Sequence, residues 1–198
     1  MRTIDDIKKV IQKDYERKVK RFMTMPQCQV VIVGDSMVDY FKPSVSACLQ
    51  GIAGDTSVGV KNRLDAIKHV SPKRVIIHVG TNDLVLTTLS LQETVQTLKE
   101  IQQSLYPIET LFCTPIPVDE SSMDLNNKLR TNEKLRQLRQ KMMDAFDVLS
   151  IIDLYPLFYE DLGLPKSLHV GDGLHLNKKG YDIYEHTLYP YIKEYLDE

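Results

Sequence analysis

Cysteine is scarce in this chain, with Cys28, Cys48 and Cys113 the only three among 198 residues. The count is odd and no CxxC pair occurs, so neither a disulfide framework nor a zinc knuckle is indicated. Long hydrophobic runs are also missing: no stretch approaches the roughly 20 apolar residues needed to span a bilayer, which excludes stable membrane insertion through a helix. Charge of one sign is absent as well. The net charge is −2, so bulk electrostatics favour neither nucleic acid nor an anionic membrane surface. The N-terminal stretch MRTIDDIKKVIQKDYERK is charged and periodic, without a signal-peptide apolar region. A reducing, cytoplasmic setting is the simplest expectation. No internal repeat, low-complexity segment or domain linker breaks the chain, and its length suits one hydrophobic core that needs no staples.

Apolar periodicity supplies the elements. Ile4, Ile7, Ile11, Tyr15, Val19 and Phe22 recur at helical spacing and predict an N-terminal amphipathic helix over residues 1–24, ahead of a single domain over 25–198. QVVIV and RVIIHV are β-branched and do not alternate, as strands of a parallel sheet covered on both faces read. Weaker strand patterns lie in ACLQGIA, ETLFCT and VLSII. Between them, Val60, Leu64 and Ile67 predict one helix. Ser90 opens a capping box ahead of a helix bearing Leu91, Val95, Leu98, Ile101 and Leu105. Leu125 to Phe146 reads as a long, charge-laced helix, and Asn177 onward as a last one. Strands alternating with helices predict an α/β three-layer, doubly wound sandwich of flavodoxin-like type, with a mostly parallel five-stranded sheet.

In such sheets, functional groups gather beyond the carboxyl ends of the strands. The residues found there are Gly34-Asp35-Ser36, Gly54-Asp55-Thr56, Gly80-Thr81-Asn82-Asp83 and, after the last strand, Gly171-Asp172-Gly173-Leu174-His175. Taken singly, each is ordinary turn or cap chemistry. Taken together, they supply what acyl transfer needs. A serine hydroxyl is a weak nucleophile and requires an adjacent base, which His175 offers to Ser36. Asp172 stands three residues before that histidine and is suited to orient it. An oxyanion needs preorganised donors, and the Ser36 and Gly54 amides and the Asn82 side chain are of the right kind.

These blocks resemble the SGNH (GDSL-type) hydrolase family, in the family's order and from about Val30 to Tyr184. GDSM is similar to its nucleophile block, GIAGDT to its glycine block, GTND to its asparagine block and DGLHLNKKGY to its Asp-x-x-His block. The resemblance implies Ser36 as nucleophile, Asp172 and His175 as the rest of a triad, and Ser36, Gly54 and Asn82 as the oxyanion hole, with no cofactor or metal. GIAGDTSVGVKNRLD also looks like the branch containing platelet-activating-factor acetylhydrolase-like proteins and bacterial carbohydrate esterases. That likeness implies short acyl esters, acetyl above all, on a small molecule or a saccharide. Met37 stands where the family name has leucine, and Leu176 where many relatives carry proline.

Other readings fit parts of the chain. A lysophospholipase or thioesterase would use the same residues on longer acyl chains, and a non-catalytic binding module could keep the fold without the chemistry. His169, Asp172 and His175 are spaced like zinc ligands, but that reading leaves Ser36, Gly54 and Asn82 unexplained. His78 lies inside an apolar strand and reads as a satisfied core histidine; His69 and His186 read as surface or packing residues. KLRTNEKLRQLRQK reads as the solvated outer face of a helix rather than a nucleic-acid stripe. The fold class often forms homodimers, although no diagnostic interface is legible.

Overall fold

The computed structural model describes residues 4–124 and 127–195, with side chains from residue 9 onward. Among them, five strands form one parallel sheet: β1 (Val30–Gly34), β2 (Cys48–Gly51), β3 (Arg74–His78), β4 (Glu109–Cys113) and β5 (Ile151–Ile152), in the spatial order β2-β1-β3-β4-β5. The flavodoxin-like reading therefore holds, and every described strand pair is parallel. The helices are α1 (Ile4–Phe22), α2 (Ser36–Asp39), α3 (Ser57–Asn62), α4 (Leu64–His69), α5 (Asp83–Leu86), α6 (Leu91–Leu105), α7 (Asn132–Ala145), α8 (Tyr155–Phe158) and α9 (Lys178–Lys193).

The unbroken apolar strands are explained by a core on each face. Val30 and Ile32 of β1 point into a cluster with Tyr184, Leu188 and Ile192 of α9. Val31 and Val33, one residue out of phase, enter a second cluster with Leu98 and Ile101 of α6 and Leu138 of α7. Successive side chains of a strand face opposite ways, so a strand buried on both sides has no polar phase. The capping box of α6 is present in both halves: the Ser90 hydroxyl accepts from the Glu93 amide, and the Glu93 carboxylate accepts from the Ser90 amide.

Four sequence expectations need correction. The single helix expected around Val60 and Ile67 is two, α3 and α4, broken at Arg63, whose side chain is drawn inward to the buried Asp55 carboxylate at 2.9 Å. The long helix expected from Leu125 starts at Asn132, where the Thr131 hydroxyl caps it by accepting from the Lys134 amide. Leu125 and Asn126 lie outside the described residues, and Asn127 to Leu129 form a turn. In VLSII, Val148–Ser150 form a 3-10 turn capped by Asp147, which leaves only two residues to pair with β4. Finally, Cys28 and Cys48 are joined as a disulfide beside β1 and β2, their Cα atoms 6.1 Å apart. The odd count hid one isolated bridge, while Cys113 stays a buried free thiol.

Helix α1 is held at the β2 side of the sheet. Phe22 is fully buried with Ile52 and Ala66. Tyr15 donates its hydroxyl proton to the Gly59 carbonyl at 2.8 Å, and Lys18 bridges Asp14 and Asp39. Among the described residues, no helix is long and apolar enough to cross a membrane. Removing the Phe22 ring would leave a cavity at that junction. Phe22→Ala is expected to lower stability by about 3–5 kcal/mol, read as a lower denaturant midpoint at unchanged m-value.

Candidate active site

Three strand ends converge where the sheet order switches direction, between β1 and β3, the crevice where such sheets bind ligands. Register puts Gly34 opposite both His78 and Gly51. The fit there is tight: a Cβ on Gly34 would lie 2.2 Å from the His78 carbonyl oxygen, so only glycine can end β1 at this spacing. The chain then turns into α2. Asp35 caps that helix by accepting from the Met37 amide at 2.9 Å, which presents Ser36 at its first turn. Gly54 adopts φ +80, a left-handed conformation favoured by glycine. Among the described residues, neither the Ser36 nor the Gly54 amide N–H has a hydrogen-bond acceptor within the chain.

Asn82 and Asp83 follow β3. The Asn82 amide donates to the Asp55 carbonyl at 3.0 Å and approaches the Asp35 carboxyl at 3.4 Å. Asp83 accepts from the amide and hydroxyl of Ser57, tying the β3 loop to α3. Asp35, Asp55 and Asp83 are thus three buried acids under one crevice. Burial pushes the Asp35 carboxyl up to about 7; the Met37 amide opposes this and the charge of Asp55 adds to it. Burial likewise lifts Asp83 to about 6 against the bonds from Ser57, and raises Asp55 despite its pairing with Arg63.

The loop before α9 brings His175 to Ser36. His175 Nε2 lies 3.0 Å from Ser36 Oγ, and its Nδ1 lies 2.6 Å from Asp172 Oδ2. Asp172 also accepts from the Leu174 and His175 amides through Oδ1. Burial raises the Asp172 carboxyl, but the His175 ring and those two amides outweigh it and hold it below the usual value. An ionised carboxylate only accepts, so Nδ1 carries the ring proton, and Nε2 is left to accept from the Ser36 hydroxyl. The structure therefore brings together all five residues singled out in the sequence: Ser36, Gly54, Asn82, Asp172 and His175. Ser36, Gly54, Asn82 and His175 line one cavity of about 230 Å³.

The GDSL-like Lipase/Acylhydrolase family model matches residues 32–183. The chain belongs to that family. As a GDSL-like acylhydrolase it is a hydrolase of ester bonds. It is 25% identical to the rat platelet-activating factor acetylhydrolase IB subunit alpha1 over 166 residues, covering 77% of this chain and 70% of that one. It is 28% identical to the acetylxylan esterase of Xylanibacter ruminicola over 200 residues, covering 77% of this chain and 40% of that protein. The crystal structure of a GDSL-like lipase from Bacteroides thetaiotaomicron superposes with a TM-score of 0.76 at 19% identity, covering 92% of this chain and 98% of that one, a likeness of fold.

The remaining histidines of this acylhydrolase have other tasks. His78 is buried, its Nδ1 3.0 Å from the Tyr184 hydroxyl, and burial pulls its pKa down to about 4. His169 Nδ1 accepts from the Gly171 and Gly173 amides on either side of Asp172, while Nε2 lies 3.3 Å from Asp119 without good alignment. The ring that resembled a metal ligand by spacing thus serves as a brace for the Asp172 loop. His69 and His186 are exposed.

Two wall residues escaped the sequence reading. Ile11 of α1 lines the cavity, close enough that a Cβ on Gly54 would come within 2.6 Å of it. Arg130, assigned to a solvated helix face, instead precedes α7 and is buried against Asn82. Neither has a local sequence signal, because both contacts join segments far apart in the chain.

The raised Asp35 pKa has a consequence for stability. Its proton is lost near 3.8 in the unfolded chain but near 7 in the folded one. The stabilisation from that proton is complete below the first value and is lost as pH climbs through the second. Asp35→Asn keeps the cap acceptor and cannot ionise. Its unfolding free energy should gain on the parent as pH rises from about 4 to 7, by on the order of a few kcal/mol, measured by denaturant titration across that range.

Proposed function

We propose that this acylhydrolase is a serine esterase for short O-acyl esters, acetyl in the first instance, working through an acyl-enzyme. The observation that carries the reading is the hydrogen-bonded chain from Asp172 through His175 to Ser36, 2.6 Å and 3.0 Å in its two steps. Ser36 Oγ forms a bond to the ester carbonyl carbon as its proton passes to His175 Nε2. Asp172 holds the ring in the accepting tautomer and favours the imidazolium that results. The carbonyl oxygen becomes an oxyanion facing the Ser36 and Gly54 amides and the Asn82 side chain. The C–O bond to the alcohol then breaks, and the alcohol leaves with the proton from His175. Water repeats the sequence: His175 takes its proton, the hydroxyl adds to the acyl carbon, and the acid departs as Ser36 regains its hydrogen. No cofactor enters any step.

The cavity favours a short acyl group. Its volume, about 230 Å³, is below the roughly 300–1,000 Å³ of pockets for drug-sized ligands. Ile11, Tyr40, Ala53, Val85, Leu86 and Leu174 give it an apolar wall, suited to a methyl or short alkyl group. The acetylhydrolase and acetylxylan esterase relatives support acetyl as the acyl group, with a saccharide alcohol one choice of leaving group.

Purified protein should hydrolyse p-nitrophenyl acetate, with Ser36→Ala reduced by about 10⁴-fold or more. An organophosphonate should modify Ser36 by peptide mass mapping, and labelling elsewhere with Ser36 untouched would count against the assignment. In a series from acetyl to dodecanoyl esters, kcat/KM should fall with chain length. Ile11→Ala should move that profile toward longer chains, by about 10-fold for hexanoyl relative to acetyl. A parent enzyme that prefers dodecanoyl would replace the short-acyl reading with the lysophospholipase or thioesterase one.

A further inference from the structure

Arg130 is a buried cation placed against the cavity wall. It is 6% exposed, and among the described residues no carboxylate forms an ion pair with it. Burying a charge is costly unless it is closely paired: the Asp35 and Asp124 carboxyls attract Arg130 without a direct ion pair, and among the described residues its Nε has no hydrogen-bond partner. Among the described residues its side chain bonds to neutral acceptors, Asn127 Oδ1 and, at 2.7 Å, Asn82 Oδ1. The second is the informative one. A guanidinium only donates, so Asn82 must turn its oxygen toward Arg130 and its Nδ2 toward Asp35 and Asp55, the chain neighbours of Ser36 and Gly54. One Nδ2 hydrogen is engaged by the Asp55 carbonyl at 3.0 Å. The other has a long contact, 3.4 Å from Asp35, which an oxyanion in the cavity that Asn82 and Arg130 both line would compete with.

The geometry points to Arg130 as a positioning residue for the oxyanion hole: it fixes the orientation of the Asn82 amide and polarises its N–H toward the developing negative charge. This rests on the serine esterase reading. A cation bonded to the amide oxygen draws electron density from nitrogen and makes the opposite N–H a stronger donor. Because Asn82 and Arg130 are already buried and bonded to each other, little reorganisation is needed when the oxyanion forms. The benefit is confined to the charged transition state and is nearly absent for the neutral ester, so it belongs in kcat rather than KM.

Arg130→Met should therefore lower kcat for p-nitrophenyl acetate by about 10- to 100-fold with KM changed less than about 3-fold. Arg130→Lys, which keeps the charge but loses the rigid fork, should recover part of it. In an Asn82→Ala background, Arg130→Met should cost less than about 3-fold more, because the group it acts through is gone. Unchanged kcat, a loss confined to KM, or full additivity with Asn82→Ala would overturn the inference. A second reading needs no turnover. In ¹⁵N-labelled full-length protein, the Asn82 side-chain amide signal, identified by its loss in Asn82→Ala, should shift in Arg130→Met and less so in Arg130→Lys. An unmoved signal overturns the inference. If the parent enzyme hydrolyses no ester, the esterase reading fails, and the Asn82 signal still decides whether Arg130 orients the amide. Should Arg130→Met not fold, Arg130→Lys supplies both readings.

Discussion

The close pairing of β1 with β3 at Gly34 and His78 is the contact on which the site depends. Without a side chain at Gly34, the two strands reach their carboxyl ends in register, with the Asp35 amide donating to the His78 carbonyl at 3.3 Å. Ser36 leaves one strand and Asn82 the other a few residues later. A displacement of about 1 Å at this point would separate Ser36 from Asn82, the proposed nucleophile and oxyanion donor, and reacting groups tolerate little such error. The neighbouring order of β2, β1 and β3 also brings Gly54 to the same edge. Tyr181 of α9 donates to the Met37 carbonyl at 3.0 Å, so the helix that follows His175 is fastened to the turn that carries Ser36.

Beneath this edge the protein accepts an electrostatic load. Asp35, Asp55, Asp83, Arg63 and Arg130 are all buried within a small volume, and only Asp55 and Arg63 form a direct ion pair among them. Each acid has a positional duty: Asp35 caps α2, Asp55 holds Arg63, which also reaches the Gly34 carbonyl at 3.4 Å, and Asp83 secures α3. Buried polar networks of this kind rigidify a site when their members are satisfied and cost stability when they are not. Perturbed carboxyl groups concentrated at one strand edge are the pattern expected where structure has been arranged for chemistry.

The helix that precedes the family's matched segment contributes to the same cavity. The family model begins at residue 32, yet Ile11 of α1 packs on Gly54 and closes one side of the pocket. Lys18 extends the link, since its partner Asp39 also accepts from the Ala53 amide at 3.2 Å. Pocket shape in this protein thus depends on a segment that carries none of the family's reactive groups.

The sequence by itself determined the sheet, the long helices and which candidate groups stand at the strand ends. Strand burial is written in runs such as VVIV and RVIIH, and short blocks such as GDS and DGLH combine turn chemistry with reactive side chains in adjacent positions. These are local properties, expressed over a few residues. Tertiary structure alone decided where α7 begins, that Cys28 meets Cys48, that Ile11 walls the cavity and that Arg130 lies beneath Asn82. Arg130 shows the reason. In KLRTNEKLRQLRQK it is one basic residue among several, and periodicity treats them alike. Its burial follows from the turn before Thr131 and from the position of β3, 48 residues away along the chain at Asn82. Such a contact is created by chain topology, and no pattern within a window of residues encodes it.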